Sequence, residues 1–200
     1  PGLIVENLTK STSFFPIFAE CTLSNEGKSC NGISNTNYGC KGKLEICQTS
    51  ENDVFIRGKI VGLKPGYHGF HIHEKSDFTN GCLSTGGHFN PYNQPHGGND
   101  PSLINRHVGD LGNIYANNSG EANIDLLLNG RGLKLYGDPD FSIIDRCIVI
   151  QEGKDDMGKG GKLNGKVMDK EKHHASLIAS NSGPRLFCGK IFLISNRPIC

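Results

Sequence analysis

Two histidines separated by a single residue, His71 and His73, open a run of ligand-type side chains that few folds could house. Between residues 68 and 110 lie six of the chain's eight histidines, His68, His71, His73, His88, His96 and His107, and the run closes on Asp110. Side chains at i and i+2 of an extended strand leave from the same face, so His71 and His73 can meet one ion. Imidazoles ended by a carboxylate suit zinc, and an all-imidazole set suits copper as well. The run holds too many ligands for one four-coordinate ion. It points to two neighbouring ions sharing a ligand, against the blander alternative of hydrogen-bonded loop and core histidines.

The rest of the chain predicts a β scaffold. It has 200 residues, 27 glycines and no tryptophan, and helical periodicity is hard to find. Short alternating or β-branched runs stand between glycine-rich turns, which predicts strands near 18–24, 41–48, 54–62, 67–73, 113–117, 121–128, 146–151 and 186–194. Asn118-Ser119-Gly120 reads as a hairpin turn. Eight short strands of this kind argue for a sandwich or a barrel. The connections 25–40, 74–108 and 151–184 are long, as functional or mobile loops are. The first reads as an insertion stapled by Cys30 and Cys40. Within the last, Lys159 to His174 carries five lysines against one aspartate and one glutamate, a net +3 that reads as a solvated face.

Charge and cysteines narrow the partners. The formal net charge is +1, which argues for neither nucleic acid nor a membrane surface, and no apolar run approaches the length of a span. Phe14 to Ala19 is a short apolar lead-in to the first strand. Eight cysteines, an even number, suit an oxidising compartment. The sequons Asn7-Leu8-Thr9 and Asn117-Asn118-Ser119 agree, so an extracellular or secretory-pathway glycoprotein is expected.

Several stretches resemble the copper/zinc superoxide dismutase family. They are Gly69-Phe70-His71-Ile72-His73-Glu74, Gly81-Cys82, His88-Phe89-Asn90-Pro91, His96-Gly97-Gly98 and Arg106-His107-Val108-Gly109-Asp110-Leu111-Gly112-Asn113. Later in the chain come Asp155-Asp156-Met157-Gly158-Lys159-Gly160-Gly161 and Gly183-Pro184-Arg185-Leu186-Phe187-Cys188-Gly189. The resemblance runs from about Phe18 to Ile194, leaving 1–17 as an N-terminal extension and 195–200 as a C-terminal tail. It implies an all-β fold, a flattened eight-stranded Greek-key β-barrel of immunoglobulin-like sandwich type, with long metal-binding and electrostatic loops. It also implies roles. His71, His73 and His88 would be copper ligands, and His88 would bridge to a zinc held by His96, His107 and Asp110. Asp155 would orient one ligand histidine of each metal, and His68 would be structural. Cys82 and Cys188 would form a disulfide. Arg185 would position a small anion, superoxide, whose dismutation to oxygen and hydrogen peroxide is the family's reaction, with Arg185 and His88 as the catalytic groups.

One departure bears on all of this. The family pattern has a fourth copper histidine just before the Asp-Asp-x-Gly-Lys-Gly loop, and this chain has Gln151 there. A neutral amide offers only a weak carbonyl oxygen, and oxidised copper prefers four tetragonal nitrogen or oxygen donors. The expectation is a dismutase-like protein with an intact zinc site, an impaired copper site and weak or no dismutase activity. The alternative is an active copper/zinc enzyme that tolerates Gln151. His173 and His174 read as exposed loop residues rather than substitute ligands. Six cysteines, Cys21, Cys30, Cys40, Cys47, Cys147 and Cys200, keep open pairings. Lys75-Ser76 and Lys190-Ile191-Phe192 fall where the family's dimer packs small or apolar groups, so a monomer or a non-standard dimer is expected.

Overall fold

The computed structural model describes residues 15–25, 40–98 and 105–194. The proposed Cys30–Cys40 staple, the sequon at Asn7, the 1–17 and 195–200 boundaries and the pairing of Cys200 lie wholly or partly outside those residues. The main strands are β1 (Ile17–Ser24), β2 (Cys40–Gln48), β3 (Asp53–Ile60), β4 (Gly66–His73), β6 (Asp110–Ala116), β7 (Ala122–Asn129), β8 (Cys147–Gln151) and β11 (Arg185–Ile194). Short pieces add β5 (Thr79–Cys82), a 3-10 turn at Leu83–Thr85, β9 (Lys162–Leu163), β10 (Lys166–Val167) and, among the described residues, one α-helix, α1 (Lys170–Ala179).

The eight main strands form one sheet in the order β6-β4-β8-β11-β1-β2-β3-β7, with antiparallel neighbours. Its two edges, β6 and β7, are consecutive in the chain, so the sheet curls until it is nearly closed. The turn between them is pinned by Asn117, whose backbone N–H donates to Glu121 O at 2.9 Å, and Gly120 supplies the left-handed φ of 74° that the turn requires. β4 sits between β6 and β8, and β1 between β11 and β2, so the chain crosses the barrel ends as a Greek key does. The expected fold class is the one observed, with strand ends shifted by a few residues. The largest shift is at β6, which starts at Asp110 rather than near 113.

Alternation explains how one strand serves two purposes. Phe70 and Ile72 of β4, Ile148 and Ile150 of β8 and Phe187 and Ile191 of β11 enter the main apolar core. Residues of opposite parity, His71 and His73, Cys147 and Val149, and Cys188, face outwards beneath the long loops. β8 lies between β4 and β11 and is covered on both faces, so all five of its residues are buried. That is why Cys147-Ile148-Val149-Ile150 reads as a continuous apolar run rather than an alternating one.

The 151–184 connection is more ordered than a solvated loop. It holds the β9–β10 hairpin and α1, which the sequence reading did not anticipate. Asp169 caps the helix by accepting from Lys172 N at 2.9 Å. Cys82 and Cys188 are bonded across 106 residues of chain. Cys47 is also disulfide-bonded, whereas Cys21 and Cys147 are buried free thiols.

Candidate metal centre

On β4, the ladder to β6 shifts register between Gly69 and His71. The gap is filled by the loop that follows β4. Ile72 N donates to Gly109 O (2.8 Å), Phe89 N to Ile72 O (2.8 Å) and Gly109 N to Phe89 O (2.9 Å). This three-way lacing brings His88 beside His73 in an isolated bridge. It also carries the 107–110 segment up to the same place. The backbone thus gathers residues separated by almost forty positions.

Two histidine-rich ligand groups result, and His96 also forms a third, mainly acidic group with Asp155 and Asp156. Ligand-capable atoms of His71, His73 and His88 lie within 4.8 Å of one another, and so do those of His88, His96, His107 and Asp110. His88 belongs to both. Its ring stacks on His71 with centroids 3.9 Å apart and meets His96 and His107 edge-on at 5.2 and 5.4 Å. All six residues are buried.

The hydrogen bonds leave a telling remainder. His71 Nε2 sits 3.0 Å from Asp155 Oδ2, His96 Nε2 2.9 Å from Asp155 Oδ1, and His73 Nδ1 3.0 Å from Gly86 O. The other nitrogen of each ring, His71 Nδ1, His73 Nε2 and His96 Nδ1, is buried without a hydrogen-bond partner, as is His107 Nδ1. His96 Nδ1 and His107 Nδ1 face Asp110 Oδ1 at 3.0 and 3.3 Å without hydrogen-bond geometry, and His88 Nδ1 reaches the same oxygen at 2.8 Å. Buried polar atoms are nearly always paired. Three imidazoles converging on one carboxylate oxygen cannot all be satisfied by protons, and a cation between them satisfies every one. The residues present therefore fit a pair of metal ions.

The surroundings hold these rings in place. Asp110 Oδ2 accepts from His107 N (2.8 Å) and Gly97 N (3.1 Å). Asp155 N donates to Asn113 Oδ1 at 2.7 Å, and Asn113 Nδ2 donates back to Asp155 O at 3.0 Å. His96 N donates to Leu177 O of α1 at 2.7 Å, so the helix clasps the loop that carries this ligand.

Electrostatics divide the rings. Burial opposes charging His96, but the carboxylates of Asp110, 3.0 Å from Nδ1, and of Asp155, bonded to Nε2, outweigh it and push its pKa up to about 9. Burial, then the neighbouring His71, pushes His88 down to about 3 against the pull of Asp110. His73 is lowered by burial, by His88 and by Arg185. Burial works against ionising Asp155 too, yet its bonds from His71 and His96 bring it down to about 2.

Other residues singled out in the sequence fall close by. The Arg185 guanidinium donates to Cys82 O (3.0 Å), Thr85 Oγ1 (2.9 Å) and Gly86 O (2.7 Å). Thr85 Oγ1 in turn lies 3.2 Å from His73 Nδ1. His68 is a pin rather than a ligand: its ring nitrogens meet Gln151 O (2.9 Å) and Lys64 O (2.8 Å). His173 Nδ1 sits 3.0 Å from Gly160 O, His174 is exposed, and neither joins the two groups. Gln151, opposite Arg185 in the β8–β11 ladder, is buried. Its amide touches Ser180 Oγ at 3.3 Å and Gly183 O at 3.5 Å. The sequence reading missed Thr85, Ser180 and Ser182.

Residues 40–191 match the family model described as copper/zinc superoxide dismutase. The chain belongs to that family. It is 43% identical over 156 residues to superoxide dismutase (Cu-Zn) 3 of Arabidopsis thaliana, covering 78% of this chain and 85% of that one. It is 48% identical over 142 residues to the extracellular superoxide dismutase (Cu-Zn) of Brugia pahangi, covering 71% of this chain and 64% of that longer relative. A crystal structure of the clock protein EA4 superposes with a TM-score of 0.70 at 36% identity, over 90% of this chain and 96% of that one. Membership of the family implies copper and zinc binding, and the two groups could hold metal ions.

Proposed function

We propose that this chain is a secreted, dismutase-like metalloprotein with a complete zinc site and an impaired copper site, and that its superoxide dismutation is weak or absent. Zinc is held by His88, His96, His107 and Asp110. The copper position is served by His71, His73 and His88, with Gln151 where the family pattern places a fourth histidine. Copper, when bound, supplies one-electron exchange with superoxide, and zinc supplies a fixed charge beside His88. The chain's own residues do the rest. Asp155 fixes the tilt of His71 and His96, and Asp110, whose Oδ1 lies 2.8 Å from His88 Nδ1, keeps that ring turned towards its own group, where the two residues would hold zinc together. Arg185, anchored on three carbonyl groups and Thr85, presents positive charge to a small anion.

The observation that carries the reading is Gln151. A strong imidazole donor is replaced by an amide that offers one neutral oxygen, and that oxygen already faces a serine hydroxyl. Losing a group that merely orients a ligand costs about 10–100-fold in metal affinity, and losing a ligand costs at least about that. Secretion is supported by disulfide use, by the Asn117 sequon and by the extracellular relative from Brugia pahangi. A monomer or a non-standard dimer is supported by β11, where Phe192 and Leu193 are exposed and Lys190 pairs with Asp145 at 2.7 Å. A single species of monomer mass by light scattering checks this.

A second reading, a working copper/zinc dismutase, draws on the two intact ligand groups and on identity to named dismutases of 43% and 48%. The deciding measurement is metal content after loading with copper and zinc, with superoxide turnover of the same samples, for the parent and for Gln151→His. Zinc retained with little copper in the parent, and copper and rate gained in the variant, is the expected result. Full copper and equal turnover in both sinks the impaired-site reading and leaves the working enzyme.

A further inference from the structure

Beside the His71 ring lies a buried polar cluster. Gln151, Ser180 and Ser182 are all buried. Ser180 Oγ donates to Gln151 Oε1 at 3.3 Å, and the Ser180 and Ser182 hydroxyls are 2.5 Å apart. The direction of this chain of bonds is forced. An amide oxygen can only accept, so the one proton of Ser180 goes to Gln151, and Ser182 must donate to Ser180. The relay therefore ends on Oε1.

That atom matters because it is the only part of the amide able to ligate a cation; the nitrogen lone pair is delocalised into the carbonyl. It is also close to the ligand group. A Cβ built on Gly69 would lie 2.7 Å from Ser182 Oγ, 2.9 Å from His71 Cε1 and 3.0 Å from Gln151 Oε1. All three groups thus converge on one spot, against the ring carbon next to the unpartnered His71 Nδ1. The fold supports the arrangement at some conformational cost, since Ser180 adopts a left-handed φ of 60° that a side chain other than glycine seldom takes.

We infer that Ser180 and Ser182 are positioning residues that compete with the metal for Gln151 Oε1 and so set the Cu(II) affinity of the His71/His73/His88 pocket. The inference rests on the copper-site reading above. With Oε1 held by the relay, the pocket presents three imidazoles, a set that suits Cu(I); with the relay removed, the oxygen becomes a fourth donor of the kind Cu(II) prefers.

The test is a mutant cycle read by competitive Cu(II) and Cu(I) titration and by electron paramagnetic resonance of zinc-loaded protein. The set is the parent, S180G/S182A, Q151A, Q151A/S180G/S182A and Q151H. S180G/S182A is expected to bind Cu(II) about tenfold more tightly than the parent, the ~1.4 kcal/mol equivalent of releasing one hydrogen bond from Oε1. Cu(I) affinity stays put, so the reduction potential falls by about 59 mV for this one-electron couple. The spectrum shifts towards an added oxygen donor. In the Q151A background the same serine changes leave Cu(II) affinity within about twofold. Unchanged affinity in S180G/S182A, or an equal rise with and without Gln151, overturns the relay. Cu(II) bound as tightly by the parent as by Q151H overturns the copper-site reading instead. Should S180G/S182A lose its zinc, S182A alone removes the hydroxyl that feeds Ser180, and a smaller rise in the same direction is then required.

Discussion

The two ligand groups share His88 but are built on different terms. Around Asp110, an anion is the hub. Three rings and two backbone N–H groups converge on its carboxylate, and burial excludes water from all of them. Around His71 and His73, neutral groups predominate: a backbone carbonyl and a threonine hydroxyl on His73 and, beside the His71 ring, an amide engaged by serine, with Asp155 the single anion in contact among the described residues. A pocket organised by a buried charge demands a cation, because nothing else satisfies so many donors at once. A pocket organised by neutral groups tolerates one. The difference explains how a ligand could be lost from the second group without loss of the fold.

Removing the hub is the harshest way to probe this. Asp110→Ala strands the nitrogens of His88, His96 and His107 and two backbone N–H groups. Breaking a buried ionic network costs about 3–5 kcal/mol. We expect that loss in denaturant unfolding of the metal-free protein, together with loss of zinc. If copper uptake falls as far as zinc uptake, the two groups are not separable.

Cutting the Cys82–Cys188 bond comes next. Loss of a native disulfide costs about 2–5 kcal/mol in small secreted domains. Cys82 is followed at once by the Leu83–Gly86 carbonyls and Thr85 that hold Arg185 and His73. Cys82→Ser with Cys188→Ser should therefore weaken the His71/His73 side more than the Asp110 side, visible as copper lost at lower chelator concentration than zinc. Equal losses would show that the bond serves the barrel alone.

Asp155 touches both groups through His71 and His96. Asp155→Ala should lower affinity for both ions by about 10–100-fold, measured by competition with chromophoric chelators. A drop confined to one ion breaks the symmetry that its two hydrogen bonds imply.

The finest probe is pH, in the metal-free protein. His88 and His73 have lowered pKa values, so the stability they contribute is present above the ordinary histidine value of 6.5 and is lost as pH falls, towards about 3 for His88. His96 is raised to about 9, so its contribution is full below 6.5 and is lost as pH climbs to about 9. Chemical unfolding across pH should give a maximum near the ordinary histidine value, falling on both sides. In His96→Gln the alkaline fall should vanish while the acid one remains. A monotonic profile in the parent contradicts the division.

How much of this was legible beforehand follows from range. His71 and His73 could be placed on one face because alternation is local, and the buried strand β8 could be read from its apolar run. The turn at Asn118-Ser119-Gly120 was recognisable, but it joins the two edge strands, β6 and β7, which pair with β4 and β3 rather than with each other as in the expected hairpin. Helix α1 was not legible, because Lys170–Ala179 lacks an apolar stripe and relies on the Asp169 cap and on the Leu177 carbonyl gripping His96. The Asp169-Lys-Glu-Lys start was the available signal. The Ser180–Ser182 relay was hidden because it joins the end of β8 to a turn about thirty residues later, a contact with no local signature. The register shift at Gly69 was equally silent, since it is defined by a partner strand.

The bridging position of Asp155 also sets a timetable. A growing polypeptide exposes His71, His73, His88, His96, His107 and Asp110 long before Asp155 is made, and Cys188 comes later still. During that interval the imidazoles have neither their orienting carboxylate nor β11, the strand that joins β8 to β1. Faithful metal capture is therefore a property of the finished chain, and a nascent chain stalled ahead of Asp155 displays its histidines without the geometry to tell one ion from another.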